Sequence, residues 1–157
     1  MVTNVDGVDP RELQSLQIYL NEYRQQAEIF SQQLALLEEG RVEAFSAIEA
    51  INGIKDSPDN TVLLPLGAGI SVRVRISEPS RVLVNIGSEV VVEKSSEEAV
   101  EYLKDRITEM EASAKKVMET LEQIRGQMNE IARRLEAGYQ QFQMQQARAM
   151  QDGEQAG

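Results

Sequence analysis

The sequence predicts an α+β chain: a long antiparallel coiled-coil helical hairpin with two β-hairpins at its closed end that join hairpins of other chains in a shared β-structure. Three observations predict it. Apolar residues recur with alternating gaps of three and four over two long stretches, which is the a/d seam of a coiled coil. Between these stretches, residues 61–94 change to a period of two, the mark of half-buried strands. The chain has 157 residues, 41% hydrophobic but only 4% aromatic, so its core is thin for a globular domain.

The first seam runs Leu13, Leu16, Leu20, Tyr23, Ala27, Phe30, Leu34, Leu37, then Arg41 as a charged break, then Ala44, Ile48 and Ile51. Asp9 as N-cap, Pro10 at the first helical position and Glu12 three residues after the cap mark its start, and Asn52-Gly53 its end. At ~1.5 Å per residue such a helix runs roughly 60 Å. The strand block follows. Ile70, Val72, Val74 and Ile76 alternate with Ser71, Arg73, Arg75 and Ser77, and Val82, Val84 and Ile86 repeat the pattern. Thr61–Leu66 and Glu89–Glu93 supply two more β-rich runs, with Val90 and Val92 among them, although Pro65 restricts the first to an edge. Gly67-Ala68-Gly69 turns the first pair, and Gly87-Ser88 suits a two-residue type II′ turn in the second.

Ser95 and Glu98 form a capping box that opens the second helix. Its seam proceeds as Val100, Leu103, Ile107, Met110, Ala114, Val117, Leu121, Ile124, Met128, Ile131, Leu135, Gly138 and Phe142 without a slip. If the helices run antiparallel with facing residue numbers adding to about 151, small residues meet large ones: Ala27 faces Ile124, Leu37 faces Ala114 and Ala44 faces Ile107. Pattern alone leaves a shift of one heptad open. Gly40 and Gly126 lie off the seam, each weakening its helix by about 1 kcal/mol relative to Ala. The expected organisation is a single domain: helix 10–52, β-hairpins 61–94, helix 96–148, and a disordered tail 149–157.

Acidic residues outnumber basic ones by 26 to 16, a net charge of −10, so a phosphate backbone or an anionic membrane would repel most of the surface. With no Cys and no His, thiolate chemistry, disulfides, Cys/His zinc sites and a side chain titrating near neutrality are all missing. The adjacent glutamates Glu38-Glu39 and Glu97-Glu98, and Glu109 with Glu111, do not face one site on a helix. Gly67-Ala68-Gly69 precedes a strand instead of opening a helix and lacks the dinucleotide fingerprint's third glycine. The expectation is therefore no enzyme, no cofactor, no metal, no nucleic acid and no membrane. Met1–Pro10 has neither a basic n-region nor an apolar h-region, and the chain is expected to be cytoplasmic.

Isolated hairpins are marginal in water, and four short strands with free edges need further strands. Ile70, Val72, Val74, Ile76, Val82, Val84, Ile86, Val90 and Val92 are thus the expected oligomer interface. A strand block LLPLGAGISVRVRI then VLVNIGSEVVVEKSSEEAVEYL between two matched heptads, with a Gln/Met-rich tail, resembles the α-type subunit of prefoldin over roughly residues 10–150. The resemblance implies a hexamer of two α-type and four β-type subunits, its hairpins joined in an oligomeric β-barrel body from which six coiled coils project, that holds unfolded proteins without ATP and passes them to a group II chaperonin.

In the expected register Leu13 faces Gly138, so the open end loses a seam side chain there and should be loose. It carries Tyr139, Phe142, Met144, Ala147 and Met150 among glutamines, with Leu13, Leu16, Ile18 and Leu20 on the first helix. Met and aromatic groups on a frayed helix adapt to varied apolar partners, which makes these the expected client-binding residues. The alternative is a structural or tethering coiled coil that oligomerises through its β-block and binds no client.

Overall fold

The structure, a computed structural model, describes residues 9–157. The segment read above for a targeting signal falls largely outside that range. Six elements follow one another: α1 (Pro10–Asp56), β1 (Thr61–Gly67), β2 (Ile70–Arg75), β3 (Arg81–Gly87), β4 (Val90–Ser95) and α2 (Ser96–Gln155). The chain divides into two compact units, one holding α1 up to Leu34 with α2 from Lys116, the other holding Ala35–Lys115.

Local chemistry explains where each helix begins. Arg11 N–H donates to Asp9 Oδ1 at 2.9 Å, satisfying one of the free donors of the first turn of α1. At α2 the capping box closes in both directions: Glu98 N–H donates to Ser95 Oγ (3.1 Å) and Ser95 N–H to Glu98 Oε2 (3.2 Å). Ser96, 1% exposed, ties the start of α2 to the preceding link, its hydroxyl donating to the Pro79 carbonyl (3.1 Å) and its N–H to that of Ser80 (2.8 Å).

Both helices outrun the sequence expectation. α1 passes Asn52-Gly53 and stops at Asp56, because Ile54 remains half-buried and the effective breaker is Pro58, which disfavours helical geometry at Ser57. α2 continues through residues 149–155, expected to be disordered, to Gln155. Ala, Met, Gln and Glu there are good helix formers, opposed by Gly153 and more weakly by Asp152.

In the first unit Leu13, Leu20, Ile131 and Leu135 form a buried cluster, with Leu16, Tyr23 and Met128 packed against it. That set is what antiparallel facing at about 151 demands, since Leu20 then meets Ile131, Leu16 meets Leu135 and Tyr23 meets Met128. Val117, Leu121 and Ile124 are buried on the same seam. In the second unit Ala44 and Ile107, each 6% exposed, are the matching pair. Every expected seam position of both helices through Gly138 is buried or half-buried; Phe142 is exposed.

The strands of the second unit form two separate two-stranded antiparallel sheets, β1-β2 and β3-β4. They are built alike. Leu64 pairs with Val72 and Val84 with Val92; each ladder then bulges by one residue, between Pro65 and Gly67 or between Asn85 and Gly87. The bulge glycines have φ of +112°, a conformation that favours glycine. Gly87 pairs with Val90, so the turn residues are Ser88 and Glu89, both at positive φ (49° and 63°). Two positive φ values make this a type I′ turn, which corrects the type II′ turn expected at Gly87-Ser88. The bulge moved the turn by one residue, and Asn85 Oδ1 holds it by accepting the Gly87 N–H at 2.9 Å.

Candidate functional site

Among the described residues, exposed apolar groups concentrate on one surface in each unit. In the first unit, Gly138 is buried and every residue of α2 after it is exposed. Tyr139 (49%), Phe142 (37%), Met144 (58%) and Met150 (74%) present their side chains there, as does Ala147. Helix formers carry the backbone, so flexible side chains are displayed on an ordered helix instead of a frayed one.

The four α1 residues expected beside them divide. Leu13, Leu16 and Leu20 belong to the interhelix cluster, since they lie on the seam. Ile18 is 52% exposed, and the adjacent Tyr19, also 52% exposed, joins it. Tyr19 was missed by the sequence reading, as was Ile29 at 63% exposure. The signal was present: both are large apolar residues off the a/d spacing, with no place in the seam.

In the second unit the hairpins are the apolar surface. Val74, Ile76, Val82, Val84 and Val92 are half-buried, whereas Ile70, Val72, Ile86 and Val90 are exposed. Residues paired across a ladder share a face. Val62, Leu64, Val72 and Val74 therefore form one face of the first hairpin, and Val82, Val84 and Val92 one face of the second. The opposite faces are not purely polar: Leu63 (68% exposed) accompanies Arg73 on the first, and Leu83 (74%) and Val91 (54%) lie on the second. Sequence alternation assigned those positions outward and left them out of the interface. Leu66 on β1 is also 64% exposed.

Polar contacts stiffen this block without filling it. Arg81 grips Glu93 across the second hairpin with both ends of its guanidinium, at 3.1 Å each; the carboxylate's hydrogen bond and charge push the guanidinium pKa up. An apolar groove of roughly 660 Å³ runs between β3 and the helices, with Val82, Val84 and Ile86 over Ile51, Ala99 and Leu103. All six residues Val82–Gly87 border the groove and none of β4 does. Among the described residues β3 pairs only with β4, so its second edge is open to another strand.

Nothing in these surfaces arranges groups for bond chemistry. Among the described residues no cluster of three or more His, Cys, Asp or Glu is placed to hold a metal, and no helix is long and apolar enough to cross a membrane. Two long helices carrying two β-hairpins define the fold to be compared. The prefoldin subunit family matches residues 23–141, which includes the β-block and most of both seams. The chain belongs to the prefoldin family.

Among its relatives, a prefoldin subunit alpha of Methanoregula boonei is 60% identical over 134 residues, 85% of this chain and 88% of that protein. One from Methanoculleus marisnigri is 50% identical over 143 residues, 91% and 96% of the two chains. In the cryo-EM structure of filamentous PFD from Methanocaldococcus jannaschii, one chain superposes with a TM-score of 0.64 at 18% identity, over 75% of this chain and 98% of that one. That likeness concerns the fold. Prefoldin is a family of non-enzymatic chaperones whose alpha subunits form oligomeric complexes with other prefoldin subunits, and the chain shares that role.

Proposed function

We propose that the chain is an ATP-independent holdase subunit that captures unfolded proteins through the Tyr139–Met150 segment of α2, with Ile18 and Tyr19 beside it, and passes them to a group II chaperonin. The observation that carries the reading is the exposure of Tyr139, Phe142, Met144 and Met150 beyond the last buried seam position, Gly138. Unbranched thioethers repack against varied apolar chains, and glutamines between them keep the display wettable. Leu13, Leu16 and Leu20 act indirectly, by holding the two helices together just before that segment.

The complex is a hexamer of two such α-type chains with four β-type subunits, located in the cytoplasm. Its interface is Ile70, Val72, Val74, Ile76, Val82, Val84, Ile86, Val90 and Val92, now joined by Leu63, Leu64, Leu66, Leu83 and Val91. Apolar residues on both faces of each hairpin, together with open strand edges, support burial of this block between several partners. Several weak tips on one particle raise the effective concentration of the next contact, so no single tip need bind tightly. The test is deletion of residues 139–157. Assembly with the β-type partner should be unchanged in size while capture of an unfolded protein weakens; loss of capture only through dissociation would remove the tip from the mechanism.

A further inference from the structure

The heptad pattern leaves the interhelix register open by seven residues, yet the structure adopts one register, and the charges of the second unit distinguish it. Two ion pairs cross from α1 to α2 there: Arg41 to Glu111 at 3.5 Å, and Lys55 to Glu97. The two α1 residues are two heptads apart with Ile48 midway; the two α2 residues are two heptads apart with Lys104 midway. The α1 row thus reads basic, apolar, basic, and the α2 row acidic, basic, acidic.

We infer that these two rows are a charge code that selects the antiparallel register, with Lys104 as the element that rejects the neighbouring ones. Sliding α2 by one heptad in one direction sets Lys55 against Lys104 and Arg41 against Met118. Sliding it in the other sets Arg41 against Lys104 and leaves Lys55 beyond the start of α2 at Ser96, with no residue of that helix to face. Either slip loses both ion pairs and opposes two like charges, whereas the apolar seam offers Leu, Ile, Val, Met or Ala at nearly every a and d position whichever way it moves. Discrimination by an unfavourable alternative is how polar residues specify coiled-coil pairing.

Neighbouring contacts agree with that reading. Glu38 braces Arg41 from the preceding turn at 2.6 Å, and among the described residues Lys104 has an ion-pair partner only along its own helix, Glu101 at 3.6 Å. A Cβ on Gly40 would lie 2.9 Å from Met110 Sδ, so α2 also comes close to α1 at the charged break. Because each helix is continuous, the register decides how many residues of α2 follow the position facing Pro10. One heptad of slip changes that overhang by seven residues. This consequence for capture rests on the holdase reading; the register itself does not.

The absence of cysteine makes the test specific. Spin labels on cysteines at exposed Glu49 and Lys115 are separated mostly along the helix axes, so a one-heptad slip moves their distance by about 10 Å. Pulsed EPR on the assembled chain should give one distance for the parent. Reversing the α2 row, Glu97→Lys with Lys104→Glu and Glu111→Lys, should add a population displaced by about 10 Å. Reversing the α1 row as well, Arg41→Glu with Lys55→Glu, should restore the parent distance and melting temperature. A single unchanged distance in the α2-row variant overturns the code, and so does a destabilised α2-row variant that the second reversal fails to rescue.

Discussion

At the residue scale, the glycines and turn residues carry distinct stability signatures. Gly126 lies inside α2 with nothing within 4 Å of an added Cβ, so Gly126→Ala should stabilise the chain by about 1 kcal/mol through helix propensity alone. Gly40→Ala gains the same propensity but must displace the Met110 thioether, and denaturant titration should show a smaller gain than for Gly126→Ala. Glu89 holds φ at +63° without being glycine. Glu89→Gly should relieve about 1 kcal/mol of left-handed strain, seen as a higher unfolding midpoint with unchanged assembly size. This turn also marks where sequence reading ran short. Gly87-Ser88 has the right composition for a two-residue turn, but the bulge at Ile86 is set by ladder pairing and shifts the loop by one residue. Composition alone does not reveal a bulge.

At the element scale, the a/d seams were legible because period 3.5 is a direct consequence of helix geometry, and Leu13 through Leu135 occupy the predicted positions. Tyr19 and Ile29 were not assigned outward from that pattern, since a seam says which residues face the partner and little about apolar residues elsewhere. Leu121 is 4% exposed within the seam, and Leu121→Ala should cost about 2–4 kcal/mol, measured as loss of helical signal on heating. Two ion pairs, Lys55 with Glu97 between the helices and Arg41 with Glu38 within α1, add a pH dependence. Glu97 titrates below the usual 4.5 because Lys55 and its own backbone donate hydrogen bonds to it and Lys55's charge adds to them; Glu38 is lowered by the Arg41 hydrogen bond and charge. The unfolded chain then binds these protons first, so their stabilisation is present above pH 4.5 and lost as pH falls through the lower folded values. Lys55, raised above 10.5 by Glu97, contributes below that pH and loses its contribution as pH rises through its folded value. Between those limits, the label distance across α1 and α2 should be narrowest; acidification should broaden it before the helices melt.

At the scale of the whole molecule, the two units differ in what they leave uncovered: the second exposes strand faces and an open edge, the first exposes side chains beyond Gly138, and the proposed function assigns these to partner subunits and to clients. The β-block was legible as incomplete because four short strands with alternating valines cannot close on themselves. Its exposed apolar surface was read less completely, since Leu63, Leu83 and Val91 are exposed on faces that simple alternation assigns to water. Val72→Asp or Val84→Asp should reduce the complex with β-type subunits to smaller species on sedimentation, while circular dichroism retains the helices. The central claim, that residues beyond Gly138 hold unfolded proteins, is tested most directly by light scattering. A chemically unfolded protein is diluted without ATP into the assembled particle, whole or lacking residues 139–157. The account predicts suppressed aggregation by the whole particle and weaker suppression by a truncated particle of otherwise intact assembly. Equal suppression by both, or none by either, would contradict it, and the latter would leave a structural coiled coil.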